Sequence, residues 1–209
     1  MSSGAHHLRS VLDQDFRPSI DFPEAPRAAV AAIFRQVDGE ATETGEAPKL
    51  EVLFIQRATK ASDPWSGQMA FPGGRTEERD ASPRATAMRE TSEEIGLELD
   101  PAAYVGSLHE LDGGRANGRQ IIVSAHGYWL DEPQPKVTPN HEVADVVWVP
   151  LTQLGDANRY IDYHYPLVGR DFPGIQLDAE GQVVWGLTLR LLSDLFNRLG
   201  RPFIIPYDG

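Results

Sequence analysis

Residues 73–97 read GGRTEERDASPRATAMRETSEEIGL, and the stretch Ser82–Ile95 within them is the clearest helix in the chain. Gly96-Leu97 closes it. At 100° per residue, Ala81, Ala85, Met88, Ser92 and Ile95 fall on one narrow, small-to-apolar stripe. Glu90, Glu93 and Glu94 fall on the opposite side, within roughly 100° of one another. Glu90 and Glu94 are one turn apart, so both carboxylates can reach one ion or a pair of ions. A polar face with three glutamates also describes an ordinary solvated helix, and their mutual repulsion is a mild cost. The helix alone therefore leaves the two readings open.

The 209-residue chain is 41% hydrophobic, enough for one mixed domain with an added arm. We divide it into an N-terminal arm, residues 1–25, and a domain over 26–209. The arm is expected to be extended, because polar residues alternate there with Pro18 and Pro23, and His6 and His7 receive no role. Strands are expected at Arg27–Val37, Leu50–Ala58, Tyr104–Leu111, Ile121–Leu130 and Val143–Val149. A hairpin-like loop should occupy 38–49, and Asp112–Gln120 should be a turn. A last helix should run from about Val183 to Leu199, where Val184, Leu187, Thr188, Leu191, Leu192 and Leu195 recur at helical spacing. The irregular alternation of strands and helices implies an α/β sandwich with a mixed sheet.

The net charge of −12 argues against nucleic-acid and anionic-membrane partners. A phosphate substrate would require local charge reversal, most simply by bound divalent cations. With no cysteine, the chain has no disulfide, thiolate ligand or thiol nucleophile. No apolar run reaches transmembrane length and no signal-peptide stretch opens the chain, so the expected location is cytoplasmic.

The surroundings of the helix favour chemistry. Gly73-Gly74, then Arg89-Glu90, Glu93-Glu94 and Gly96-Leu97 together resemble the Nudix box, GX5EX7REUXEEXGU with U aliphatic. The part from Arg89 to Leu97 matches at each fixed position, with Thr91 where an aliphatic residue is usual. Upstream, Asp80 stands where the pattern has glutamate, and eight residues rather than seven separate it from Arg89. A one-residue insertion before the helix reconciles the halves and leaves Asp80 without an assigned role.

The resemblance implies a Nudix-type α/β/α sandwich and a Mg²⁺- or Mn²⁺-dependent hydrolase of a small nucleotide-like diphosphate. It implies Glu90 and Glu94 as main metal ligands, with Glu93 a further ligand or acid/base participant. Hard oxygen ligands suit Mg²⁺, which neutralises a diphosphate and activates water. Gly73 and Gly74 should let the backbone approach the phosphates. Arg89 should orient a glutamate by a charge-assisted hydrogen bond. Glu142 is a candidate base, with a plain surface carboxylate as the equal alternative.

Residues 53–75, LFIQRATKASDPWSGQMAFPGGR, resemble the signature of the coenzyme A pyrophosphatase branch, LLTXR(S/A)X3RX3GX3FPGG. Ser62 stands near the second arginine's place, and one extra residue lies between Ala58 and Gly67. Val184-Trp185-Gly186-Leu187-Thr188 also resembles a segment common in that branch. Arg57 is read as a phosphate partner or a structural ion pair, and Lys60 as a partner for the 3′-phosphate of coenzyme A. Trp65 is either an adenine platform or loop core. The departures leave room for nucleoside diphosphate sugars or dinucleotides. A non-catalytic binding module and a prenyl diphosphate isomerase rank lower, because the box carboxylates are present and cysteine is not. The family often dimerises, so a homodimer is also implied, with no interface fixed.

Overall fold

In the computed structural model, residues 2–22, 24–37, 49–60, 65–116, 119–179 and 181–203 are described. Two long apolar runs, β1 (Arg27–Gln36) and β2 (Leu50–Arg57), pair antiparallel and carry buried residues on both faces. Burial on both sides explains why they read as continuous hydrophobic stretches rather than as an alternation. β2 also pairs with β3 (Met69–Ala70), and β1 with β4 (Gly73–Arg75). Further along come β5 (Tyr104–Ser107), β6 (Leu111–Ala116), β7 (Arg119–Leu130) and β8 (Val143–Pro150). β7 runs parallel to β1 from Arg27↔Ile122 to Arg35↔Leu130, and the other pairings in this sheet are antiparallel. The sheet is therefore mixed, in keeping with the expected fold class.

One face of the sheet is covered by α2 (Pro83–Ile95), which packs Ala87 and Ile95 against Ala29, Ala31, Ile33, Leu53 and Ile55. The Ser82 hydroxyl accepts the Ala85 N–H at 3.2 Å, Pro83 sits at the first turn, and Gly96 closes the helix at φ 64°. The other face is covered by α1 (Ser3–Val11), α4 (Gly186–Arg198) and a small sheet. That sheet joins β9 (Tyr160–Tyr165), β10 (Arg170–Gln176) and β11 (Val183–Trp185) in the order β11-β10-β9. A one-turn helix, α3 (Leu151–Leu154), follows β8. Among the described residues no helix is long and apolar enough to cross a membrane.

Several expectations are corrected. The first residues are helical, not extended: Ala5, Leu8 and Leu12 recur at helical spacing and are buried in the core beside Trp129. His6 and His7 lie on the exposed side of that helix. The stretch Asp112–Gln120 is mostly strand, because β6 and β7 form a hairpin; its turn, 117–118, lies outside the described residues. The expected loop 38–49 also falls outside them, apart from Lys49. The last helix begins at Gly186 rather than Val183, because Val183–Trp185 pair with Gly174–Gln176 and Gly186 turns the chain at φ 59°.

Leu8 is wholly buried against the main sheet. Leu8→Ala should therefore cost about 3 kcal/mol in urea unfolding. A loss below about 0.5 kcal/mol, typical of exposed sites, would mean that the helix does not dock.

Candidate active site

The helix expected from the sequence is present, at Pro83–Ile95, but rotated. Its buried residues are Thr86, Ala87, Thr91, Glu94 and Ile95; of the expected stripe Ala81, Ala85, Met88, Ser92 and Ile95, Ile95 alone is buried. The shift puts Glu94 inside, at 3% exposure. Thr91 takes an aliphatic position without an unpaired hydroxyl, because its Oγ1 donates to the Ala87 carbonyl at 2.7 Å.

Glu94 lies inward because a strand reaches it. The Gly73 N–H donates to Glu94 Oε2 at 2.9 Å. A Cβ on Gly73 would lie 2.4 Å from the Ala29 carbonyl, and one on Gly74 would lie 2.5 Å from the Glu90 carboxylate. The two glycines thus admit β4 between β1 and the carboxylates of α2. Burial pushes Glu94 up to about 7, with the Glu90 and Glu142 charges acting in the same direction. The Gly73 N–H and the Arg57 charge oppose that rise. Burial also raises Glu90, against the pull of Arg89.

Arg89 organises the outer side. Its Nη1 donates to Glu90 at 2.9 Å and to Glu93 at 3.1 Å, and its Nη2 donates to the Arg75 carbonyl at 3.1 Å. Nε and Nη2 grip Asp80 through both carboxylate oxygens, each at 2.9 Å. Asp80 is nearly buried and also accepts the Glu77 N–H and the Thr86 hydroxyl. The Arg89 guanidinium holds the Asp80 carboxyl well below the usual range. The inserted residue displaces Asp80 from the box pattern, which hides this partner of Arg89 in the sequence.

Glu93 stands apart from the other two glutamates. Half exposed, it binds Arg79 at 3.0 Å as well as Arg89. Among the described residues no three acidic or histidine side chains are gathered closely enough to hold an ion. The expected cluster of Glu90, Glu93 and Glu94 is therefore not assembled as such. The arginines separate carboxylates that would otherwise repel one another. Glu90 and Glu94 remain beside the Gly73–Gly74 backbone, as hard oxygen donors disfavoured by burial unless a cation joins them.

The rim brings together the other candidates. Arg57, at the end of β2, places its charge where both Glu94 and Glu142 feel it. Lys60 Nζ donates to Glu142 Oε1 at 2.7 Å, so the candidate phosphate lysine and the candidate base occupy one another. That bond holds the Glu142 carboxyl below its ordinary value. The Ser66 hydroxyl fixes Lys60 by accepting its N–H at 2.8 Å and donating to its carbonyl at 2.6 Å. Trp65 beside it is 41% exposed. Ser62 and Pro64 lie outside the described residues. Asn140, not among the residues expected at the site, bonds to the Glu93 carbonyl and to the Glu142 N–H. A cavity of about 410 Å³ lies away from this site, between α1 and α4.

The sequence model of the NUDIX domain matches residues 25–168. An uncharacterised protein of Schizosaccharomyces pombe is 32% identical over 145 residues, covering 63% of this chain and 44% of that protein. The chain thus spans less than half of that relative. The uncharacterised Nudix hydrolase NudL of Salmonella paratyphi B is 28% identical over 160 residues, covering 73% of this chain and 77% of NudL. A MutT/nudix family protein from Enterococcus faecalis superposes with a TM-score of 0.57 at 16% identity, over 96% of this chain and 75% of that one. The NUDIX domain of Shewanella oneidensis NrtR, complexed with ADP ribose, gives 0.51 at 19% identity, over 95% and 99%. Both structural likenesses are of fold alone.

Two outcomes are expected. Gly74→Ala should cut turnover at least about tenfold by displacing Glu90, while melting shifts by only about 4 °C, since a flexible side-chain end gives way. Wild-type turnover would mean that Glu90 is free to move without consequence. The second concerns Glu94, which ionises near 4.5 when unfolded and near 7 when folded. Between those pH values the folded state holds the extra proton, so stability falls as pH rises, by about 3 kcal/mol. In metal-free buffer Glu94→Gln should lack this fall between pH 5 and pH 8, as read by urea midpoints. Equal slopes in the two proteins would contradict the burial of a titrating carboxyl.

Proposed function

This chain belongs to the Nudix family, and from that premise we propose that it is a divalent-metal-dependent hydrolase of a diphosphate linkage in a nucleoside diphosphate derivative. The observation that carries this reading is the pair of buried Glu94 and half-buried Glu90 held against the Gly73–Gly74 backbone. Glu90 and Glu94 would hold Mg²⁺ or Mn²⁺, joined by Glu93 once it leaves Arg79. The metal would lower the pKa of a bound water and stabilise the leaving phosphate. Arg89 keeps Glu90 in place, itself fixed by Asp80. Arg57 offers a guanidinium to a phosphate at the end of β2. Glu142, kept ionised by Lys60, is the proton acceptor. An incoming phosphate would compete with Glu142 for Lys60.

Coenzyme A or an acyl-coenzyme A is the substrate we favour, on the resemblance of residues 53–75 and of Val184–Thr188 to the branch that cleaves it. A second reading, an ADP-ribose-like compound, draws on the NrtR domain's ligand and on the missing second arginine at Ser62. A hydrolysis screen with Mg²⁺ or Mn²⁺ across coenzyme A, ADP-ribose, nucleoside diphosphate sugars and dinucleoside polyphosphates separates them. Release of adenosine 3′,5′-bisphosphate and 4′-phosphopantetheine is expected. Preference for another diphosphate would replace the substrate and keep the reaction, whereas no turnover of any compound would refute the hydrolase.

A further inference from the structure

The last carbonyls of α2 lack partners in the helix ladder, as at any helix end. The segment before β8 supplies donors for them. The Thr138 N–H reaches the Ile95 carbonyl at 2.6 Å, and the Asn140 N–H reaches the Glu94 carbonyl at 2.8 Å. Asn140 Nδ2 donates to the Glu93 carbonyl, also at 2.8 Å. The other end of that same amide, Oδ1, accepts the Glu142 N–H at 2.7 Å. Glu142 is tied on its far side too, where its carbonyl accepts the Ala58 N–H at 2.7 Å and its carboxylate accepts Lys60.

One short amide therefore joins the backbone of the metal-binding turn to the backbone of Glu142. The requirement is for a donor and an acceptor held apart on a short stem. Aspartate lacks the donor, and its charge would face the negative end of the helix. Serine offers a single oxygen for both tasks. Thr138, by contrast, caps through its backbone alone, so its side chain is dispensable to the arrangement.

We propose that Asn140 is a positioning residue for diphosphate cleavage, fixing Glu142 relative to the carboxylates of α2. This rests on Glu142 being the proton acceptor. The rim loop is thereby a rigid extension of α2 rather than an independent flap. Asn140 touches neither substrate nor metal in this scheme and acts through where it holds Glu142.

The test is a double-mutant cycle on turnover of coenzyme A, or of the fastest diphosphate in the screen above. Asn140→Ala should lower kcat about 10- to 100-fold with KM nearly unchanged, since a misplacement of the order of 1 Å suffices for such a loss. In a Glu142→Gln background the same change should cost less than about twofold, because nothing is left to position. Asn140→Asp, which keeps the acceptor, should fall between, and Thr138→Ala should match wild type. Amide exchange, independent of turnover, should quicken at least about tenfold at Glu142 in Asn140→Ala and not in Thr138→Ala. Losses that multiply in the double variant, or an unchanged Glu142 amide, would overturn the positioning role and leave Glu142 as acceptor. A Glu142→Gln variant as fast as wild type would remove the acceptor reading and the proposal with it.

Discussion

The hydrogen bond from the Gly73 N–H to the buried Glu94 carboxylate is the contact on which the rest of this site depends. It requires β4 to lie flat between β1 and α2, and at Gly73 a side chain would strike the β1 backbone. Once β4 is there, Glu90 rests against Gly74 and Glu94 turns inward, so the orientation of the helix is fixed. The inward turn is costly in electrostatic terms, because two carboxylates on successive turns lose water together. A cation between them, as proposed above, would offset that cost.

Around this pair the chain divides its arginines by task. Arg89 is almost enclosed and bonds to Asp80, Glu90, Glu93 and the Arg75 carbonyl. It is a fixed strut whose fork geometry a lysine would not reproduce. Arg79 is exposed and holds only the outlying Glu77 and Glu93. An exposed pair of that kind contributes little to stability and exchanges readily. The arrangement is thus rigid at Glu90 and Glu94, and yielding at Glu93.

How far the sequence could be read depends on where each residue's partners lie. The span of α2 was legible because its signals are local: Ser82, Pro83 and Gly96 mark its ends within the stretch itself. Its rotation was not, because the decisive contact comes from Gly73, twenty-one positions before Glu94. Asp80 was hidden by the inserted residue, although Arg89 beside a nearby acid is a reasonable ion-pair signal. β9 and β10 escaped notice because Pro173 and Gly174 interrupt the second strand, yet Pro173 sits in register with Asp162. α1 was mistaken for extended chain because a polar, nine-residue helix gains its stability from docking Leu8 rather than from its own composition. Asn140 left one local trace, an Asx-type turn to Glu142, which is too common to single out.

The parallel pairing of β1 with β7 bears on how the molecule forms. Ala29 lies beside Ser124, partners about 95 positions apart in sequence, and α2 with its glycine turn is threaded through the chain between them. Loop-closure entropy makes such distant pairings slow to nucleate. During synthesis the centre of the sheet cannot close until β7 has left the ribosome, and until then the edge of β1 that pairs with it stays open. Catalytic competence and protection from aggregation therefore arrive in the same late event.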